Sequence, residues 1–158
     1  FCDRFIERLS ESHDQILQAA RSGRQNIAEG SMDSGTSKKT ELKLVGVARA
    51  SMEELLLDFE DFLRQRGLER WGKDHAEALN IRALARKENR SYSTYKTYFE
   101  ESGPDVAANA LICVVHQTNY LLDQQLRTLE KEFLEKGGFT ERLYQARSQV
   151  RRGNNGFG

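Results

Sequence analysis

Asn26 and Glu29 stand one turn apart in a helical pattern, and Glu54 recurs in the helical pattern that follows. Paired carboxylates inside a helical bundle can hold a metal ion or move protons, as di-metal bundles do through Glu-x-x-His. No Glu-x-x-His occurs here, and His13, His75 and His116 are isolated in sequence. HExxH, GxGxxG, P-loop and GxSxG patterns are also absent from the sequence. Asn26, Glu29 and Glu54 therefore read first as buried polar contacts with arginines or helix ends. No metal, cofactor or small-molecule substrate is expected. The rival from another class is a metal-dependent or hydrolytic enzyme using Glu29, Glu54 and a histidine.

Charge offers a second kind of chemistry. Lys+Arg and Asp+Glu number 24 each, so no global field draws the chain to nucleic acid or an anionic membrane, and any basic surface is local. Lys38, Lys39, Lys43 and Arg49 open one long helical pattern, whose second half carries Glu53, Glu54, Asp58, Glu60 and Asp61. This order opposes the helix dipole, so it reflects either a basic end used for binding or pairing with antiparallel neighbours. Residues 140–158 hold four arginines against one acid, an excess of +3. Arg90, Tyr92, Tyr95, Lys96, Tyr98 and Phe99 interleave bases with aromatics, as single-stranded nucleic-acid platforms do. Yet Tyr92, Tyr95 and Phe99 share one helical face, the ordinary pattern of core packing. Cys2 and Cys113 lie far apart without a CxxC and read as reduced thiols of a cytoplasmic protein. No apolar run reaches the ~20 residues of a membrane span.

These side chains need elements to hold them. A chain of 158 residues with one proline, 38% hydrophobic and 30% charged, fits a single all-α domain. Phe1, Phe5, Ile6 and Leu9 recur at helical spacing, like the last turns of a first helix truncated at Phe1. Ser10 or Ser12 caps the next helix, in which Ile16, Ala20, Gly23, Ile27 and Gly30 form a heptad seam small enough to admit a close neighbour. Past the turn Ser31 to Thr36, a helix capped by Thr36 or Ser37 runs ~45 Å to about Arg66 and stops at Gly67. One stripe on it holds Leu42, Val45, Met52, Phe59 and Leu63, and a second holds Leu44, Ala48, Ser51, Leu55 and Phe62. Two buried stripes require two neighbours, or a neighbour and another subunit. Residues 68–103 are less regular, with helices expected over 74–87 and 91–101. Pro104 opens a helix that continues to about Lys136. Beyond Gly137 and Gly138 lies a short basic segment ending in a flexible tail.

The run Ala19, Ala20, Ser22, Asn26, Ile27, Ala28, Glu29, Gly30, followed by Lys39, Ala48, Ser51, Glu54 and Leu55, resembles a family of small bacterial four-helix-bundle proteins. Its members include proteins encoded in intervening sequences of large-subunit ribosomal RNA genes and the accessory variability determinant of diversity-generating retroelements. ALICVVHQTNYLLDQQL, with GGFTERLYQAR after it, is similar to the subgroup with a C-terminal suffix segment. The resemblance implies an antiparallel four-helix bundle over 1–135, with a helical insertion at 68–103 and a suffix segment with a short helical extension over 136–158. It further implies a homo-oligomer, a pentameric ring, with RNA or a reverse transcriptase as partner and no enzymatic activity. Arg21 and Arg49 stand where shorter members carry apolar residues, and the neutral charge departs from the basic retroelement protein. Local charge and the resemblance together name Arg21, Arg24, Lys38, Lys39, Lys43, Arg147, Arg151 and Arg152 as nucleic-acid contacts, and Asn26, Glu29, Arg49 and Glu54 as buried polar or assembly residues. A module binding only other proteins is the alternative.

Overall fold

A computed structural model describes residues 1–33, 37–137 and 139–154. Among them the chain is helical, without strands: α1 (Cys2–Phe5), α2 (Glu11–Asp33), α3 (Lys38–Gln65), α4 (Ala76–Leu84), α5 (Tyr92–Lys96) with a π-helical turn (Thr97–Glu101), α6 (Pro104–Lys136) and α7 (Phe139–Asn154).

The long helix α3 organises the core, because α2 packs against one side of it and α6 against another. Gly23 faces Ser51 and Met52 while Gly30 faces Leu44 and Val45, so α2 runs antiparallel to α3. Lys38 meets Glu132 and Arg49 meets Asp123, so α6 runs antiparallel to α3 as well. Both apolar stripes of α3 are used: Val45, Met52, Phe59 and Leu63 are buried, as are Ala48, Ser51, Leu55 and Phe62. Three long helices make this core among the described residues. None of the described helices is long and apolar enough to cross a membrane.

Local chemistry sets the helix ends. Ser10 Oγ accepts the His13 N–H and Ser37 Oγ accepts the Thr40 N–H, each at 3.3 Å, so these two serines cap α2 and α3. Gly67 takes φ +63°, while Leu68 N–H donates to Leu63 O and Gly67 N–H to Arg64 O. That pair of bonds is a Schellman stop, and it turns Leu68 back against the core.

Three expectations about elements need correction. The first helix covers only Cys2–Phe5, and Leu9 is 96% exposed; Phe1 instead sets its ring against Phe59 and Phe62, 5.2 and 4.9 Å between centroids. In the α2 seam Ala20 is exposed and Ala19 is buried in its place, because a straight helix of 3.6 residues per turn drifts off a strict heptad. α7 carries on through Gly153 and Asn154, which were expected in the tail. Residues 34–36 of the expected turn, and 155–158 of the tail, lie outside the described residues.

The segment between α3 and α6 folds over the face of α6 that turns away from α3. Buried Asn109 ties it down: its amide donates to Glu69 O and Asp105 O at 2.8 and 2.9 Å, and its Oδ1 accepts the Trp71 N–H at 2.8 Å. α4 then packs on α6, burying Ala78 and Ile81, and Ala107 and Ala110 are buried on α6 outside the core shared with α3. The π-helical turn packs on α6 too, and Arg4 donates to its Phe99 O and to Ser102 O at 2.6 and 2.8 Å.

Candidate nucleic-acid interface

Between this segment and α6 lies a cleft of about 900 Å3, at the upper end of the range for small-molecule sites. Its cations come from three places: Arg70 and Lys73 from the loop after α3, Arg82 from α4 with Arg86 from the turn that follows it, and Arg90 from the approach to α5. Its aromatic rings are Trp71, Tyr92, Tyr95 and Phe99 on one side and Tyr120 on α6. No carboxylate lines it among the described residues. Arg70 is neutralised by Glu60 at 2.6 Å, whereas Lys73, Arg82, Arg86 and Arg90 form no ion pair with any described residue.

The aromatic wall is built rather than collapsed. Tyr95 stacks on Phe99, with 5.9 Å between centroids, and Trp71 stacks on His75 at 4.7 Å and 4°. His75 also caps α4, its Nδ1 accepting the Glu77 N–H. Tyr92 is 60% exposed and Tyr120 64%, while Tyr95 and Phe99 are half-buried, so the stripe expected to be core packing lines the cleft instead. The alternation of bases and rings sorts itself by side: Lys96 turns to Glu100 and Tyr98 donates to Glu77 Oε2, which takes both out of the lining. A π-helical turn, a type frequent at functional sites, carries Phe99.

Among the described residues, two nitrogen atoms beneath this lining are buried without a partner. Arg82 donates Nε–H to Ala78 O at 3.1 Å, but its Nη2 has no acceptor, and neither has Gln117 Nε2 on α6. Cys113 lies beside them, its thiol pushed above the ordinary range by burial, with Arg82 pulling the other way. Cations, donors and rings facing one cavity make a receptor for something anionic and planar.

No protein-family model, curated protein or solved structure matches this chain.

None of the described nucleic-acid contacts expected from sequence lines the cleft. Arg21 and Arg24 are exposed on α2, Arg21 edging a shallow hollow of about 550 Å3 with Asp14 and Asn26. Lys39 and Lys43 are exposed near the start of α3, but Lys38 is held by Glu41 and Glu132 at 3.0 and 3.2 Å, and those bonds raise its pKa. Arg147 and Arg151 are exposed on α7, and the side chain of Arg152 lies outside the described ones.

The polar set is dispersed as well. Asn26 donates within α2 to Ser22 O, and half-buried Glu29 accepts from Gln25. Glu54 is exposed rather than buried, because it falls on the outer face of α3, away from both stripes. Packing of Gly30 on Leu44 and Val45 puts Glu29 level with Val45, nine residues and ~13 Å along the axis from Glu54. The two carboxylates therefore do not meet, and among the described residues no three His, Cys, Asp or Glu side chains could hold a metal together. Arg49, half-buried, joins two elements. It donates to Glu53 at 2.6 Å and to Asp123 at 2.9 Å, bonds that raise its pKa with Glu53 foremost, and so it links α3 to α6.

The cleft cations Arg70, Lys73, Arg82 and Arg86 escaped the sequence reading, since they belong to no run or period. Only Arg90 and the rings after it gave a signal.

Proposed function

We propose that this chain is a non-enzymatic helical scaffold that self-associates and binds RNA, alone or within a ribonucleoprotein such as a reverse-transcriptase complex. The observation that carries the reading is the cleft against α6: four unpaired cations, five aromatic rings and no carboxylate among its described lining. That combination binds single strands by charge and stacking, and it needs no net positive charge on the whole chain. The α2–α3 hairpin and α6 would belong to an antiparallel four-helix bundle, with 68–103 as the insertion that carries the site.

Binding of a fluorescent ten-nucleotide single-stranded RNA, followed by anisotropy across a salt series, tests the reading. Four phosphates neutralised in the cleft correspond to a slope of about −3 in log K against log salt. Lys39→Glu with Lys43→Glu tests the exposed cations of α3 separately, and Arg86→Glu with Arg90→Glu tests the cleft. Affinity that ignores salt and all four substitutions would overturn the proposal.

Self-association has support of its own. Lys43, Val47, Ala50, Glu54, Leu57 and Asp61 are all exposed on α3 and step by four, three, four, three, four, which is an exposed heptad stripe.

A further inference from the structure

The geometry points to the cleft between residues 70–99 and α6 as a receptor for one unpaired nucleotide, its base on the rings and its phosphate on the arginines. This rests on the RNA reading above and narrows it: what is recognised is a base out of its stack, whether free in a nucleotide or within a single strand. Phosphate contact by itself would need only the surface lysines of α3. The cleft differs from such a surface in three respects.

It is a cavity, and its volume of about 900 Å3 admits a ligand of nucleotide size but not the width of a duplex. Its most exposed rings belong to different walls, Tyr92 to α5 and Tyr120 to α6, so a flat group entering between them has an aromatic surface available from each element. Tyr92 is also held in place, its hydroxyl donating to Glu100 Oε1 at 2.7 Å, and an anchored ring loses less freedom when a base stacks on it. Finally, the polar atoms left over are donors. Among the described residues, Arg82 Nη2 and Gln117 Nε2 are buried without acceptors, and Lys73, Arg86 and Arg90 meet no carboxylate. A ligand matching the cations must bring negative charge along with its ring, and a nucleotide brings both.

Trp71 lines the cleft and is the only tryptophan of the chain, so its fluorescence reports this site alone. Cys113, in the same lining, gives a second signal through protection from a maleimide. The full chain is titrated with each of the four nucleoside 5′-monophosphates, with the corresponding nucleosides, with inorganic phosphate, and with the ten-nucleotide RNA as single strand and as duplex. At least one monophosphate should change the Trp71 emission saturably and protect Cys113, more tightly than its nucleoside or phosphate alone. The single strand should do the same and the duplex should not. Tyr92→Ala and Tyr120→Ala alter exposed side chains and should each weaken the monophosphate about 5- to 150-fold. Arg86→Gln with Arg90→Gln should weaken the monophosphate while leaving the nucleoside unchanged.

Single-strand binding that is lost on reversing Lys39 and Lys43, with Trp71 silent to every monophosphate and both tyrosine variants without effect, would overturn this inference and leave the RNA reading standing. Duplex binding equal to single-strand binding would overturn it in the same way. Failure of every nucleic acid and every nucleotide would remove both.

Discussion

Asp58 sits half-buried on α3, four residues after Glu54 and three before Asp61, so that two like charges share its side of the helix. Burial is the foremost cause raising its pKa above the ordinary carboxylate range, and Glu54 and Asp61 push the same way. The sign of the consequence follows from proton counting. Between the ordinary value and the raised one, the folded chain keeps a proton that the unfolded chain has released, so stability falls as pH rises through that window and stays lower at neutral pH. Asp58→Asn should therefore stabilise the fold at pH ~7 by about 0.5–1 kcal/mol, the sum of two unfavourable helical pairs. The gain should vanish below pH ~3.5, where the carboxyl is protonated in both states. Thermal melts of both chains across pH measure this, and a gain that persists unchanged in acid would show that the charge is not its source. Arg49 illustrates the opposite balance. Removing it by Arg49→Met leaves Glu53 and Asp123 facing each other between α3 and α6 and should cost about 1–2 kcal/mol in denaturant unfolding, most of it recovered when Asp123→Asn is added.

At the scale of elements, the small residues of α2 decide how close α3 can come. A Cβ on Gly30 would make ordinary contacts of 3.5 Å with Leu44 and Val45, so Gly30→Ala should keep the helix-propensity gain and raise Tm by about 2–4 °C. A Cβ on Gly23 would collide with the tip of Met52, which is itself buried. Gly23→Ala should gain less than Gly30→Ala, and Gly23→Leu should destabilise the hairpin by about 1–3 kcal/mol. Equal melting shifts for the two alanines would mean that Met52 moves freely. Much of this architecture is legible in sequence wherever one helix carries its own boundary signals and faces. The proline and glycine around α6 place its ends at Pro104 and about Lys136, where they are found, and the doubled stripe of α3 requires the two neighbours it has. Legibility fails where the determinant is another element. Ala19 replaces Ala20 because the supercoil that a heptad assumes is not imposed here, and Leu9 is exposed because the chain leaves the helix at Ile6. The cleft is the extreme case, since its lining spans Arg70 to Leu121, and only the docking of α4 and the π-helical turn on α6 brings those positions together.

On the scale of the whole molecule, the stripe on the outer face of α3 bears on assembly. Val47 is 41% exposed and Leu57 56%, with Ala50 and Glu54 between them, Lys43 at one end and Asp61 at the other. A second copy lying antiparallel across it would set Val47 against Leu57 and Ala50 against Glu54, with Lys43 opposite Asp61, which Arg64 already holds at 3.0 Å, so the stripe is complementary to itself in size. Such a contact is isologous and closes at two copies, whereas the five-membered ring implied by the family resemblance needs two different surfaces on each protomer. Exposed Leu143, Tyr144 and Val150 on α7 provide a second apolar surface from which a ring contact could be built. Light scattering coupled to size exclusion separates these outcomes by mass. The chain should run as an oligomer, and Leu57→Glu should shift it toward the monomer because it sets a carboxylate into the seam, while an additional Val47→Lys, which restores an opposite charge across the antiparallel pair, should recover association. Leu143→Glu with Val150→Glu should leave a dimer intact but break a ring. A chain that is monomeric at high concentration, or whose mass ignores both surfaces, would sink the scaffold reading at this scale while leaving the cleft on the far side of α6 untouched.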